Sequence, residues 1–175
     1  KNTTRNPRST VATSTELYDF LRLLFARVGR SYCPKCGRHV QRDTVDQVAQ
    51  RMLTQPEGSR WYALFPIRRE ATTVALRDHL FELRKKGFNR LLQNGRTFEF
   101  STPESLLDID FNQSLFGLVD RLVIAPELHQ RIVDAIEICY REAGEVLSEP
   151  ASGGESLLFN EKFACKNDGT ELAIP

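Results

Sequence analysis

The sequence predicts an α+β fold, in which a small, mostly antiparallel sheet packs against helices. In four segments, apolar residues recur at the three- and four-residue spacing of an amphipathic helix. Other segments have the alternating or continuous apolar pattern of strands, and Asn94-Gly95 between two of them is a strong signal for a tight hairpin. The longest strand-like segment, residues 115–124, is apolar except for Asp120 and Arg121.

Length and composition are those of an ordinary globular protein. At 175 residues the chain fits one domain, or one domain with part of another. Its net charge of +1 gives no general attraction to nucleic acid or to a membrane surface. No apolar run approaches the roughly 20 residues that a membrane helix needs. The first residues lack the apolar segment of a signal peptide, and the chain does not begin with methionine, so we expect a piece of a longer protein.

The first two helices are predicted near the N-terminus. Hydroxyl side chains at residues 13–15, followed by Glu16, favour a helix start, and Gly29 favours its end. The apolar residues at helical spacing between them are Leu17, Phe20, Leu21, Leu24 and Phe25. Thr44 opens the second helix, whose apolar stripe consists of Val45, Val48, Ala49 and Met52.

The middle of the chain is predicted to contain a strand, a helix and a hairpin. Thr73 is the predicted N-cap of this third helix, whose stripe is Leu76, Leu80 and Leu83. The other predicted elements are a strand at residues 61–67, hairpin strands at residues 88–92 and 96–100, and a loop at residues 101–114.

The last part of the chain returns to a strand and a helix. Along the strand at residues 115–124, alternation puts Asp120 and Arg121 on opposite faces, and puts Arg121 on the same face as Val119 and Val123. Pro126 fits the first turn of a fourth helix, whose stripe consists of Leu128, Ile132, Ala135, Ile136 and Cys139. Short strands are predicted at residues 145–147 and 156–159.

Residues 44–160 are predicted to form one compact unit. Residues 1–43 and 161–175 flank this unit, and each flank contains cysteine. The flanks therefore look like the two ends of a parent domain into which the unit is inserted.

Cys33 and Cys36 form half of a possible zinc site. The Cys-x-x-Cys spacing, with a proline and a glycine beside the thiols, suits a tight turn that directs both thiolates toward one ion. A reduced, metal-free turn explains the pair equally well, because two of the four ligands usual for structural zinc are unassigned. The residues that could complete the site are Cys165 and Asp168, or His39.

Several parts of the sequence resemble the UvrA family of excinuclease components, the damage-recognition ATPases of bacterial nucleotide excision repair. One is the cysteine segment Cys33-Pro34-Lys35-Cys36-Gly37-Arg38, and another is Val119-Asp120-Arg121-Leu122-Val123. The matching segments follow one another in the order of the family over nearly the whole chain, at residues 6–11, 16–19, 21–29, 33–38, 44–47, 83–88, 119–123 and 157–165.

The resemblance implies a docking function. In the family, the inserted domain binds UvrB, a helicase-like partner protein, and two of its arginines contact acidic residues of UvrB. By motif these arginines correspond to Arg90 and Arg121. The resemblance further implies a cytoplasmic, homodimeric parent that binds ATP and DNA, with the flanks belonging to its first signature domain. The family's nucleotide-binding loop and ABC signature are absent from these residues, so this region is expected not to hydrolyse ATP by itself.

The second cysteine segment departs from the family pattern. The family's Phe-Ala-Cys-Pro-x-Cys-Gly reads here Phe163-Ala164-Cys165-Lys166-Asn167-Asp168-Gly169. Asp168 therefore stands where the family has a cysteine, which suggests a divergent paralogue. The predicted metal ligands are Cys33, Cys36 and Cys165.

Two other functions compete with docking. A zinc-knuckle module that contacts nucleic acid directly is the alternative, and the near-neutral net charge argues against it. An enzyme is disfavoured because no nucleophile with a base and no phosphate-binding glycine loop is evident. Without the resemblance, Arg90 and Arg121 are explained better as solvated strand residues; with it, the docking role is preferred.

Overall fold

The computed structural model describes residues 17–68, 72–100, 109–110 and 112–172. The chain forms two compact units, a smaller one of Lys1–Gln41 with Phe163–Pro175 and a larger one of Arg42–Lys162. Helices and antiparallel sheets are present together, so the predicted α+β class is confirmed. Among the described residues, no helix is long and apolar enough to cross a membrane.

The smaller unit contains a helix and a two-stranded antiparallel sheet. None of the helix's side chains is buried. Its predicted capping hydroxyls, at residues 13–15, lie outside the described residues. The elements are α1 (Leu17–Val28), β1 (Ser31–Tyr32) and β2 (His39–Val40).

The larger unit is a six-stranded antiparallel sheet with helices on one face. Across the sheet, the strands are arranged in the order β5-β4-β6-β3-β7-β8. The strands are β3 (Arg60–Ile67), β4 (Arg90–Gln93), β5 (Arg96–Glu99), β6 (Leu115–Val123), β7 (Glu145–Pro150) and β8 (Leu157–Asn160). The helices are α2 (Val45–Leu53), α3 (Thr73–Lys85) and α4 (His129–Ala143), with a 3-10 turn at Pro126–Leu128 before α4.

The main core lies between the helices and one face of the sheet. From β3 it receives the alternate residues Trp61, Ala63, Phe65 and Ile67, as a half-buried strand requires. From the helices it receives the predicted stripes, except Leu128, which lies half-buried in the 3-10 turn before α4. Each valine, leucine, isoleucine or methionine side chain among them contributes about 1.5–3 kcal/mol when fully buried. The buried helical residues are Val48, Ala49 and Met52; Leu76, Leu80 and Leu83; and Ile132, Ala135, Ile136 and Cys139.

The opposite face of the sheet, here called the open face, carries a smaller apolar cluster. Leu64, Leu92 and Leu118 are buried there, one from each of three adjacent strands. The half-buried side chains around them are Tyr62, Phe116 and Leu147.

Buried polar groups join the two ends of the larger unit. Asp43 and Asn160 are only 5% and 6% exposed. The backbone N–H of Asn160 donates to Asp43 Oδ2 (3.0 Å), and the hydroxyl of Tyr140 donates to the Asp43 carbonyl (2.9 Å). Because buried polar groups are costly unless they are paired, these bonds fix where the chain enters and leaves the unit.

Several element boundaries differ from those predicted. Thr72, not Thr73, caps α3, since its Oγ1 accepts from the Ala75 N–H (3.2 Å). Phe88 is not in a strand: its N–H donates to the Leu83 carbonyl, and its ring packs edge-on against Phe65 at 5.1 Å. β7 extends to Pro150, beyond the predicted end of that strand at residue 147. The cap at Thr72 is a local hydrogen bond, whereas the position of Phe88 and the length of β7 also depend on contacts with β3.

The predicted hairpin at Asn94-Gly95 is confirmed. The two residues connect β4 and β5, and their φ angles are 51° and 73°. Two successive positive φ angles are typical of the type I′ turn, which suits the twist of a two-residue hairpin. The turn fixes the register of β4 and β5, with Arg90 opposite Glu99.

Candidate functional site

A one-residue bulge in β6 determines where Arg121 points. Leu64 of β3 pairs with Leu118, but the next residue, Ala63, pairs with Asp120, so Val119 is extra. A β-bulge of this kind changes which side chains reach each face of the sheet. Beyond the bulge, Asp120 lies on the helix-covered face and Arg121 lies opposite Tyr62 on the open face.

The bulge corrects one expectation and leaves another intact. Arg121 does not share a face with Val119, because Val119 packs against the main core beneath the helices. Simple alternation from Val119 fails at the extra residue. Val123 does lie on the face of Arg121, opposite Arg60, and its side chain is exposed.

Arg121 is exposed and held by two neighbours. Its guanidinium carbon lies 5.7 Å from the centre of the Tyr62 ring, within the range of a cation–π contact. Its Nη2 donates to Thr97 Oγ1 over 3.4 Å, a long hydrogen bond. These contacts orient the side chain without neutralising its charge.

Arg90 lies on the same open face. Leu92 pairs with Phe116, and alternation along β4 places Arg90 on the side of Leu92. Arg90 and Arg121 line a common cavity of about 200 Å³, together with Thr97 and the cross-strand neighbour of Arg90, Glu99. The structure therefore brings the two arginines selected from the sequence together.

Asp120, the other half of the charge pair, is bound by an arginine of α4. Arg131 donates to it twice, from Nε over 2.7 Å and from Nη2 over 2.8 Å. These hydrogen bonds lower the pKa of the Asp120 carboxyl, which also accepts the N–H of Arg121 (2.7 Å). Sequence reasoning missed this pair, because no local spacing connects β6 with the first turn of α4.

Two similar turns in the smaller unit carry the cysteines. In the first, the N–H of Cys33 donates to the Arg38 carbonyl (2.8 Å) and the N–H of Gly37 to the Cys33 carbonyl (2.9 Å). In the second, Cys165 donates to the Thr170 carbonyl (2.9 Å) and Gly169 to the Cys165 carbonyl (2.8 Å). Asp168 therefore occupies, in the second turn, the place of Cys36 in the first.

The two turns bring three thiols and one carboxylate into a single cluster. The Cys33 thiol donates to Asp168 Oδ2 over 3.1 Å, and the sulfurs of Cys36 and Cys165 lie 3.5 Å apart. All four ligand atoms lie within 4.8 Å of one another. His39, the other candidate ligand, is outside this cluster, and its ring packs edge-on against Tyr32 at 5.7 Å.

The groups of the cluster shift one another's pKa values in both directions. Hydrogen bonds from Thr170 and the Cys33 thiol hold the pKa of Asp168 well below its usual range. Burial acts to raise the pKa of Cys165, but hydrogen bonds from the backbone and the neighbouring thiols leave it lowered. For Cys36, the Arg38 backbone favours the thiolate, yet burial and the adjacent thiols and carboxylate raise its pKa to about 11. The lowered pKa values of Asp168 and Cys165 favour a bound metal ion, whereas Cys36 must lose its proton when an ion binds.

The donor set fits zinc. Three sulfurs and one carboxylate oxygen supply the four ligands of a tetrahedral structural site, and the Cys-x-x-Cys and Cys-x-x-Asp spacings come from paired turns. By contrast, Cys139 lies in the main core, where burial raises the pKa of its thiol. Cys33, Cys36 and Cys165 thus belong to the cluster, and Cys139 does not.

Comparisons with known proteins agree on one family. The model of a family described as the UvrA interaction domain matches residues 43–149. The UvrABC system protein A of Brucella abortus biovar 1 is 39% identical over 97% of this chain and 19% of its own length. That of Rhizobium meliloti is 39% identical over the same shares, and that of Clostridium tetani is 35% identical over 98% of this chain and 18% of its own. The chain spans about a fifth of the length of the curated relatives it matches.

Proposed function

Because the chain belongs to the family of the UvrA interaction domain, we propose that its larger unit docks a UvrB-type partner in bacterial nucleotide excision repair. The observation that carries the proposal is the position of Arg90 and Arg121. The two side chains are exposed, lie on the open face and line one cavity.

The chemistry of this pair suits acidic residues on a partner. A guanidinium can bind a carboxylate through two parallel hydrogen bonds, which gives both energy and orientation. Arginine is also one of the residue types enriched among those that dominate interface energies. Tyr62, which lies under Arg121, adds an aromatic surface beside the charge.

The first test measures binding of purified UvrB to the 175-residue chain. Replacing Arg90 with alanine is expected to weaken binding about tenfold, the effect of losing one well-placed charged contact. The measurement is a calorimetric titration at fixed salt. Arg51→Ala is the matched control, since Arg51 is an exposed arginine in the last turn of α2. Equal affinities for the wild type and Arg90→Ala would count against the role of Arg90.

For the complete protein we propose an ATP-dependent, homodimeric machine that recognises damaged DNA. Within it, this region contributes docking rather than hydrolysis, and DNA is contacted by other parts of the protein. Residues 44–160 would be the docking domain, and residues 1–43 and 161–175 the parts of the signature domain on either side of it.

We propose that zinc stabilises the smaller unit through Cys33, Cys36 and Cys165, with Asp168 as the fourth ligand. The ion would tie together two turns that belong to distant parts of the sequence. Its role would be structural, because all four positions of a tetrahedral site would be filled by the protein.

Elemental analysis of reduced, purified protein is expected to find about one zinc per chain. Asp168→Ala is expected to lower this content, since a three-ligand site binds zinc less tightly, whereas Asp168→Cys should preserve it. Chelation should change the circular dichroism of the wild type and of Asp168→Cys alike. Protein that contains no stoichiometric metal after purification under reducing conditions would rule the site out.

Direct binding of nucleic acid by the zinc knuckle is the second candidate function, and the cysteine cluster favours it. It predicts that the isolated chain binds duplex DNA with an affinity that falls steeply with salt. A chain that binds UvrB but not DNA would exclude it.

A further inference from the structure

A second, larger concavity lies where β4 separates from β6. β4 pairs with β6 only through Leu91↔Gly117 and Leu92↔Phe116. From Leu118 onward, β6 has no strand beside it on that side within the part of the chain that the structure describes. The space beside this stretch is a groove of about 490 Å³, here called the basic groove, bounded by the end of α3, the start of β4 and one side of α4.

The basic groove has an apolar floor and a cationic rim. The floor residues are buried or half-buried, and they are Phe88, Leu118, Val119 and Ile138. The rim residues are exposed, and they are Lys86, Arg90, Arg121, Arg131 and Arg141. Asp120 is the one carboxylate among the described lining residues. Two rim residues, Arg90 and Arg121, also line the smaller cavity of the open face.

Two carboxylates hold the rim in place without cancelling its charge. Asp120 binds Arg131, and Glu142, whose side chain is 8% exposed, accepts from Lys86 Nζ over 2.7 Å. Arg141 is 3.7 Å from Glu142 and keeps 69% of its side chain exposed. Five cations thus face two acids, and the paired ones are already fixed in position. A pre-oriented rim loses little conformational entropy when a ligand binds.

We propose that the basic groove receives an acidic segment of the partner protein, inserting one apolar side chain against Phe88 and Ile138. Carboxylates on either side of that anchor bind Arg141 at one margin and Arg90 and Arg121 at the other. The inference rests on the proposed docking function and extends it from two arginines to a groove. An apolar anchor surrounded by charged contacts is the arrangement found at the centre of strong interfaces.

A protein segment fits the groove better than nucleic acid does. The groove is short and concave, with a volume suited to a few side chains rather than to a duplex. Its floor is apolar, whereas phosphate backbones are bound by polar and cationic surfaces. The chain as a whole has a net charge of only +1, which gives little general attraction to DNA.

The test titrates purified UvrB, and separately a DNA duplex, into the 175-residue chain and its variants. Arg141→Glu reverses one rim charge that lies outside the smaller cavity of Arg90 and Arg121, and Ile138→Ala shortens the floor. Arg51→Glu makes the same charge change at an exposed position of α2 outside the groove. Circular dichroism and thermal melts verify that each variant is folded.

We expect Arg141→Glu to weaken UvrB binding about tenfold or more and Ile138→Ala about fivefold, with less than about a twofold change for Arg51→Glu. If Arg121→Ala weakens binding but both groove variants bind as the wild type does, the groove is not part of the interface and the docking role of the open face survives. If the wild type itself does not bind UvrB, both proposals fail. Loss of DNA binding in Arg141→Glu, with UvrB binding unchanged, would assign the groove to nucleic acid instead and overturn the inference.

Discussion

Replacing Arg121 with glutamate is expected to weaken binding of UvrB by about a hundredfold or more, corresponding to a loss of roughly 3 kcal/mol. The change removes a donor of paired hydrogen bonds and puts a negative charge where acidic residues of the partner are expected. Like charges brought together at an interface cost several kcal/mol, so reversal should exceed the effect of truncation to alanine.

The fold should survive this substitution. Arg121 is exposed, and in the free chain it contributes one cation–π contact with Tyr62 and one long hydrogen bond to Thr97. An exposed cation–π contact contributes about 0.5–1 kcal/mol, which is small beside the expected loss of affinity. Thermal melts of the free chain should therefore be nearly unchanged.

Two further variants make the result interpretable. Arg121→Lys keeps the charge but loses the planar fork, so its affinity should fall between those of the wild type and Arg121→Glu. Arg51→Glu should bind as the wild type does. A folded Arg121→Glu chain with wild-type affinity would refute the docking role of this residue.

Replacing Gly117 with valine is expected to lower the free energy of unfolding by about 3 kcal/mol. A Cβ atom at Gly117 would lie 2.3 Å from Phe65 Cζ and 2.5 Å from its Cε1, too close for any side chain. The Phe65 ring cannot move away easily, because it is 2% exposed and packs against Phe88. The glycine in the centre of β6 is thus required by close approach rather than by its own backbone angles.

Urea unfolding of Gly117→Val, Phe65→Leu and the double variant measures this effect. If the collision with the ring is the cause, the smaller side chain at position 65 relieves it, and the double variant is more stable than the sum of the single losses predicts. Additive losses would show that the destabilisation has another origin.

Local pattern was sufficient to identify the helices and the longer strands, but not the short strands β1 and β2. The stripes of α2, α3 and α4 follow from helical periodicity alone, and Asn94-Gly95 encodes its turn through two residues that accept positive φ. The thiols at Cys33 and Cys36 are recognisable by their spacing. Each of these signals lies within a few consecutive residues.

Features that depend on the register between strands, or on contacts between distant segments, could not be predicted from the sequence. Nothing around Val119 marks it as an extra residue, because a bulge is defined by the register between two strands. The bond between Asp120 and Arg131 likewise joins segments that only the folded chain brings together. The sequence indicated both Asp168 and His39 as candidate ligands, and only the folded chain distinguishes between them. The basic groove exists because β4 is shorter than β6, which no residue pattern in either strand indicates.

The extra residue in β6 determines which charged side chain lies on the open face. Counted from Leu118 without the bulge, Arg121 would stand opposite Trp61 and point into the apolar core, and Asp120 would take its place on the outside. The sign of the charge on the open face therefore depends on the bulge at Val119, which shifts every later residue of β6 by one position relative to β3. Deletion of Val119 would remove the extra residue together with the bulge and leave Arg121 opposite Tyr62, whereas loss of the bulge at constant chain length would place the carboxylate of Asp120 there instead.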